Sequence, residues 1–205
     1  MPKVALILEG HGDVMAGCSL IARSAATFGE HLFASEPAIR AGNALKLRRP
    51  GELERYLRLA ISREDIDQVL VLVDLDDGCA AEFCAEFKKR ADPISQESGK
   101  KIDICFCVRE YEVWFLTIID ILRVELPDYG IPAGLAFENP DTIRAAKGTL
   151  DRACAKKGYK QMRDQLLFTK KIDVKQLAKR DRSYRKLLKS LLNKSYDEIR
   201  ALCEP

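Results

Sequence analysis

Three stretches of the chain are apolar almost without interruption, and each stops at acid. VALIL (4–8) runs into Glu9, QVLVLVD (68–74) closes on an aspartate, and KIDICFCV (101–108) is followed by Arg109 and Glu110. Short continuous apolar runs rich in Val and Ile are the pattern of strands buried on both faces of a parallel sheet. Between and after them the apolar spacing becomes helical. Asp13 suits the cap of a helix reaching about residue 28. A further strand is expected near HLFAS (31–35), followed by a basic loop, IRAGNALKLRRP (39–50). Pro50 fits a helix start, and ELERYLRLAI (52–61) carries leucines at helical spacing. A helix is expected over 79–90. From Tyr111 an apolar helical face is built by Trp114, Phe115, Ile118, Ile119 and Leu122, read as core rather than as a stacking platform. Prolines at 127, 132 and 140 with Gly130 and Gly134 mark an irregular connection. Helices are expected beyond it at about 141–157, 161–168, 173–180 and 183–192. The alternation predicts the α/β class: a mainly parallel sheet flanked by helices, with a small helical C-terminal segment.

In open sheets of this kind, functional groups gather beyond the carboxyl ends of the strands. There the sequence places Glu9, then Asp74, Asp76 and Asp77, then Glu110 and Glu112. One acid after a strand is an ordinary turn or cap residue. Three strands in succession ending in acid, one of them as DLDD, point to a shared site. Crowded carboxylates raise one another's pKa values, and a hard divalent cation with oxygen ligands relieves that conflict. His11 stands beside Glu9 as a candidate general base, although a lone loop histidine is more often merely solvated. No GxxxxGK[ST] loop, dinucleotide fingerprint or GxSxG elbow occurs.

Composition adds three points. The net charge of +3 hides a split: residues 141–205 hold 18 Lys+Arg against 8 Asp+Glu, residues 1–140 hold 16 against 23. Such asymmetry fits an anionic partner for the tail, and equally fits solvated helix faces. Seven cysteines without a CxxC pair read as reduced thiols. No apolar stretch nears the roughly 20 residues that span a bilayer, so a cytoplasmic protein is expected.

Glu9-Gly10 with Asp13 after one strand, and Asp74-x-Asp76 after a later one, resemble the TOPRIM signature of topoisomerases, bacterial primases and related nucleases. LVDLDDGCAAE (72–82), VREYEVWFLT (108–117), RAAKGTL (144–150) and RDRSYRKLLKSL (180–191) resemble a bacterial family catalogued as domain of unknown function 4276. That family is regarded as TOPRIM-like, and its members often lie beside ATPase genes in clusters reminiscent of phage defence. The resemblance implies a TOPRIM-like Rossmannoid domain over 1–125 with a basic helical segment over 126–205 packed on it as one unit. It implies catalytic roles for Glu9, Asp74 and Asp76. It also implies a Mg²⁺ or Mn²⁺ site drawn from Glu9, Asp74, Asp76, Asp77, Glu110 and Glu112. Arg180, Arg182, Ser183 and Arg185 match the family's basic motif, a candidate phosphate clamp or a set of internal salt bridges. Lys147 and Lys170 are candidate stabilisers of phosphate charge. The implied activity is a metal-dependent nuclease or phosphodiesterase acting on DNA or RNA. The alternatives are a non-catalytic subunit docking on an ATPase, or another metal-dependent transferase.

Overall fold

Strand β1 (Lys3–Leu8) is the organising element, because it is hydrogen-bonded on both sides within a four-stranded sheet. In the computed structural model, which describes residues 1–204, the strand order is β2-β1-β3-β4 and every pairing is parallel. Here β2 spans Phe33–Arg40, β3 spans Gln68–Leu75 and β4 spans Lys101–Val108. The register pairs Leu8 with Leu72, Leu72 with Cys105 and Asp74 with Cys107, so the strands end together. The chain is thus an α/β, Rossmann-like fold, as its periodicity predicts.

Alternation of side chains feeds two cores. Leu6, Leu8, Leu70, Leu72, Cys105 and Cys107 face one core, and Ala5, Ile7, Val71, Val73, Ile104 and Phe106 face the other. The second is covered by α3 (Glu52–Ile61) and α4 (Ala80–Ser98), with the short α2 (Ala44–Arg48) preceding them. The first is covered by α1 (His11–Thr27) and by the chain after β4. That part comprises α5 (Glu112–Thr117), α6 (Ile119–Glu125), α7 (Ala146–Ala153), α8 (Gln161–Lys170), α9 (Val174–Arg180), α10 (Arg182–Leu192) and α11 (Tyr196–Cys203). One continuous apolar cluster runs from Val4 to Cys203, joining the residues before and after position 125. Trp114 and Phe115 lie fully inside it.

Several elements depart from their sequence expectation. The strand expected near 31–35 lies at 33–40, because FASEPAIR is a half-exposed edge strand whose apolar signal is weak. Pro37, which has no N–H to give, sits where the ladder breaks between Ser35 and Ile39. The basic loop expected after it contains α2, capped by Asn43, whose side chain accepts from the Lys46 N–H. The helix expected over 79–90 continues to Ser98 despite Pro93. The long helix expected over 141–157 shrinks to α7, since a turn at Pro140–Thr142 and a left-handed Ala145 precede it. The final helix, α11, has no counterpart among the sequence expectations.

The contact that matters most for the site is α8 against the first turn of α1. Asp164, almost fully buried, anchors the start of α8 by accepting from Tyr129 Oη and the Lys160 N–H, both at 2.7 Å. Next to it, Gln165 lies so close to Gly12 that a Cβ there would stand 2.2 Å from Gln165 Oε1 and 2.9 Å from Gln161 Cγ. Gly12→Ala is therefore expected to push α8 off α1 and to cost about 1–3 kcal/mol of stability, as overpacking does. Chemical denaturation would measure it, and an unchanged midpoint would contradict the packing.

Candidate functional site

Because the strands end in register, their terminal acids meet. Glu9, one residue beyond β1, reaches sideways so that Oε2 accepts the Asp74 N–H at 3.2 Å. Asp74 points from β3 on the same face as Leu70 and Leu72, toward α1. Glu112, at the first position of α5, is fully buried; its Oε1 accepts from Tyr159 Oη at 3.0 Å and its Oε2 has no hydrogen-bond partner.

Asp13 joins them from α1, a role its reading as a helix cap did not anticipate. It occupies the third position of the helix, not the cap itself, which is Gly10. Its Oδ2 accepts the Gly10 N–H at 2.8 Å, and its Oδ1 accepts Gln165 Nε2 at 2.7 Å. One carboxylate thus ties the turn after β1 to α8. Gln165 is almost wholly buried, and its Oε1 has no hydrogen-bond partner. No local pattern signals the contact, since 152 positions separate the pair.

The electrostatics follow from this packing. Burial, then the charges of Asp13 and Asp76, push the Glu9 carboxyl up to about 7, against the Asp74 N–H and Lys147, which favour its ionised form. Burial also pushes Glu112 up to about 7, with Lys147 and the Tyr159 hydroxyl pulling the other way. Asp74 is raised well above the usual carboxylate range by burial, then by Asp13, Glu9 and Glu112. Lys147 is the cation common to all three.

The other acids stand apart. Asp76 is exposed at the rim, where its charge acts on Glu9. Asp77 is exposed and holds Arg109 at 2.9 Å and Arg144 at 2.7 Å, which keep its carboxyl below the usual range. Arg109, with φ of 74°, also donates to the Asp76 and Asp141 carbonyls, so a residue in the left-handed region staples the DLDD loop. Glu110 Oε2 accepts the Lys147 N–H at 2.7 Å, satisfying a free amide in the first turn of α7. Among the described residues, no three His, Cys, Asp or Glu side chains are already arranged to hold a metal ion. The acids converge as a cluster, and the ligand set is not preformed.

A family model described as "Domain of unknown function (DUF4276)" matches residues 8–192. The chain belongs to that family. No curated protein and no solved structure matches it. The match in this DUF4276 chain covers the strand-end acids and the basic motif of the tail alike.

That motif divides by partner. Arg180 pairs with Asp120 through both terminal nitrogens, at 2.6 and 3.2 Å, and Arg185 donates to the Ala178 and Lys179 carbonyls at the end of α9. Ser183 donates to Asp181 at 2.6 Å and accepts from the Trp114 indole at 2.9 Å. These three hold the tail to the core. Arg182 is exposed and makes no ion pair among the described residues. Lys170, at the end of α8, lines a cavity with Val14, Phe33 and Glu36, one that none of the strand-end acids lines. His11 is exposed and hydrogen-bonds Arg40. All seven cysteines are free, and no helix of the described residues is long and apolar enough to cross a membrane.

The raised carboxyls fix the sign of a pH effect. Glu9 and Glu112 titrate near 7 when folded and near 4.5 otherwise, so the folded state holds extra protons between those values. The stability they contribute is complete below about pH 4.5 and is lost as pH rises through 7. Metal-free protein is expected to melt at a higher temperature at pH 5 than at pH 8 once other titrations are matched by comparison with Glu112→Gln. That amide keeps an acceptor for Tyr159 while removing the buried charge. It is expected to recover up to about 3 kcal/mol at pH 8. An identical pH profile in the variant would contradict the burial of charge at Glu112.

Proposed function

We propose that the chain is a Mg²⁺- or Mn²⁺-dependent phosphodiesterase of TOPRIM-like character whose substrate is nucleic acid. The observation that carries the reading is the crowding of Glu9, Asp13, Asp74 and Glu112 at the carboxyl ends of adjacent parallel strands, with Lys147 as their common cation. Such a cluster is unfavourable by itself, and hard oxygen donors of this kind suit Mg²⁺ or Mn²⁺. The partnerless Glu112 Oε2 supplies a buried acceptor that fits a cation. In this reading Asp74 and Glu112 would hold the metal with Asp76 at the rim, and Glu9 would either complete the ligands or move the proton. The bound ion supplies an activated water and neutralises charge on the scissile phosphate. Where Glu9 is not itself bound to the ion, its carboxyl, pushed up to about 7 by burial, can take and return a proton. Asp13 and Gln165 fix the turn that carries Glu9. Lys147 faces the charge that develops on the phosphate. A setting in ATPase-linked phage defence is what the family resemblance implies.

A second reading, a non-catalytic subunit docking on an ATPase, is favoured by two observations. No ligand set is preformed among the described residues, and Arg180 and Arg185 are spent on internal contacts. The test is incubation of the protein with single- and double-stranded DNA and with RNA, in Mg²⁺, in Mn²⁺ and in chelator. Metal-dependent cleavage is expected, falling by at least about 100-fold in Glu9→Gln and in Asp74→Asn. Cleavage that persists unchanged in both variants would overturn the proposed site. Absence of cleavage with every metal, alone and with the neighbouring ATPase, would favour the docking subunit.

A further inference from the structure

Between the start of α4 and the exposed flank of α10 lies a cavity of about 370 Å³. Ala81, Phe106, Val108 and Tyr196 line it, together with the cations Arg182 and Lys186 and the acids Asp141 and Asp181. The volume falls within the roughly 300–1,000 Å³ of ordinary small-molecule sites.

Two facts about the cations point to an anion. Arg182 and Lys186 are four residues apart, hence on one face of α10, and Lys189 continues that face. Neither Arg182 nor Lys186 forms an ion pair among the described residues. Arg182 stands in the first turn of α10, where the helix dipole disfavours a cation. Asp181, which also lines the cavity, is engaged by its own helix start, its Oδ1 accepting from the Ser183 hydroxyl and the Tyr184 N–H. Arginine forks and lysine ammoniums unmatched by carboxylates are suited to phosphate oxygens.

The rest of the lining selects among phosphates. Tyr196 is 38% exposed and carries Lys189 over its ring at 4.7 Å. An aromatic wall beside small apolar side chains takes the flat face of a base, which an inorganic phosphate lacks. We infer that this cavity is a mononucleotide site, with the phosphate on Arg182 and Lys186 and the base against Tyr196. Its occupant is a free nucleoside 5′-phosphate or the terminal nucleotide of a strand. Arg109 links it to the strand ends, since it contacts Asp76, Asp77 and the carbonyl of Asp141, another lining residue. A part for this site in placing a strand for cleavage rests on the phosphodiesterase reading, whereas nucleotide binding itself does not.

The test is calorimetric titration in chelator, so that metal chemistry plays no part. The probes are adenosine 5′-monophosphate, adenosine, inorganic phosphate, and a short oligonucleotide with and without a 5′-phosphate. Saturable binding of the monophosphate or the 5′-phosphorylated strand is expected, at least about tenfold tighter than adenosine or phosphate alone. Tighter binding of the phosphorylated strand assigns the site to a strand terminus, and tighter binding of the monophosphate assigns it to a free nucleotide. Arg182→Gln with Lys186→Gln, and separately Ala81→Trp to fill the cavity, should each weaken binding about tenfold or more. The exposed control Lys88→Gln should not, and circular dichroism should show all variants folded. Glu9→Gln is expected to bind as the parent does, even where cleavage is absent. No saturable binding of any phosphorylated probe, or binding unaltered in both the double variant and Ala81→Trp, would overturn the assignment.

Discussion

Like charges held out of water set the terms for the rest of this molecule. A parallel sheet with both faces covered brings its strand ends to one edge, and here the register delivers Glu9 and Asp74 to that edge side by side. Asp13 and Glu112 arrive from the helices that start there. Each acid would be unremarkable in solvent. Packed together, they raise one another's affinity for protons, and the fold must supply compensating donors. It does so with the Asp74 N–H, the Tyr159 hydroxyl, the Gln165 amide and the charge of Lys147. These donors come from β3, the connection after α7, α8 and α7 itself, so the acid edge is also what ties the C-terminal helices to the sheet.

The tail therefore has two jobs carried by different residues. Arg180, Ser183 and Arg185 close hydrogen bonds within the fold, and their loss would act through packing. Arg182 and Lys186 do none of this and face outward beside a cavity. A basic stretch that looks uniform as sequence is thus divided between cations held by the fold and cations left free of it.

The central strands and their acidic ends are legible because burial on both faces forces a continuous apolar run rich in Val and Ile. The edge strand Phe33–Arg40 was misplaced for the converse reason: one side is open, so Glu36 and Pro37 are tolerated within it. Helices of the tail were recognisable by period, but the start of α7 depends on a left-handed Ala145 that no period encodes. Asp13 illustrates a different limit. Its local role near a helix start is real, and that sufficed to account for it. Its second oxygen meets Gln165 across 152 positions, a contact set by how α8 lies on Gly12. Glu110 and Glu112, indistinguishable in REYE, are separated only by the turn of the chain, one onto the first turn of α7 and the other into the core.

Whether the acid edge is built for a cation is tested most directly by titrating Mn²⁺ into the metal-free protein near pH 7 in two buffers of different ionisation enthalpy. Saturable binding with release of protons is expected, because Glu9 and Glu112 are both close to half-protonated there and a cation would displace those protons. Asp74→Asn should abolish both the binding and the proton release while the protein stays folded. Absence of saturable binding, or binding and proton release that survive Asp74→Asn undiminished, would contradict a metal site at the strand ends.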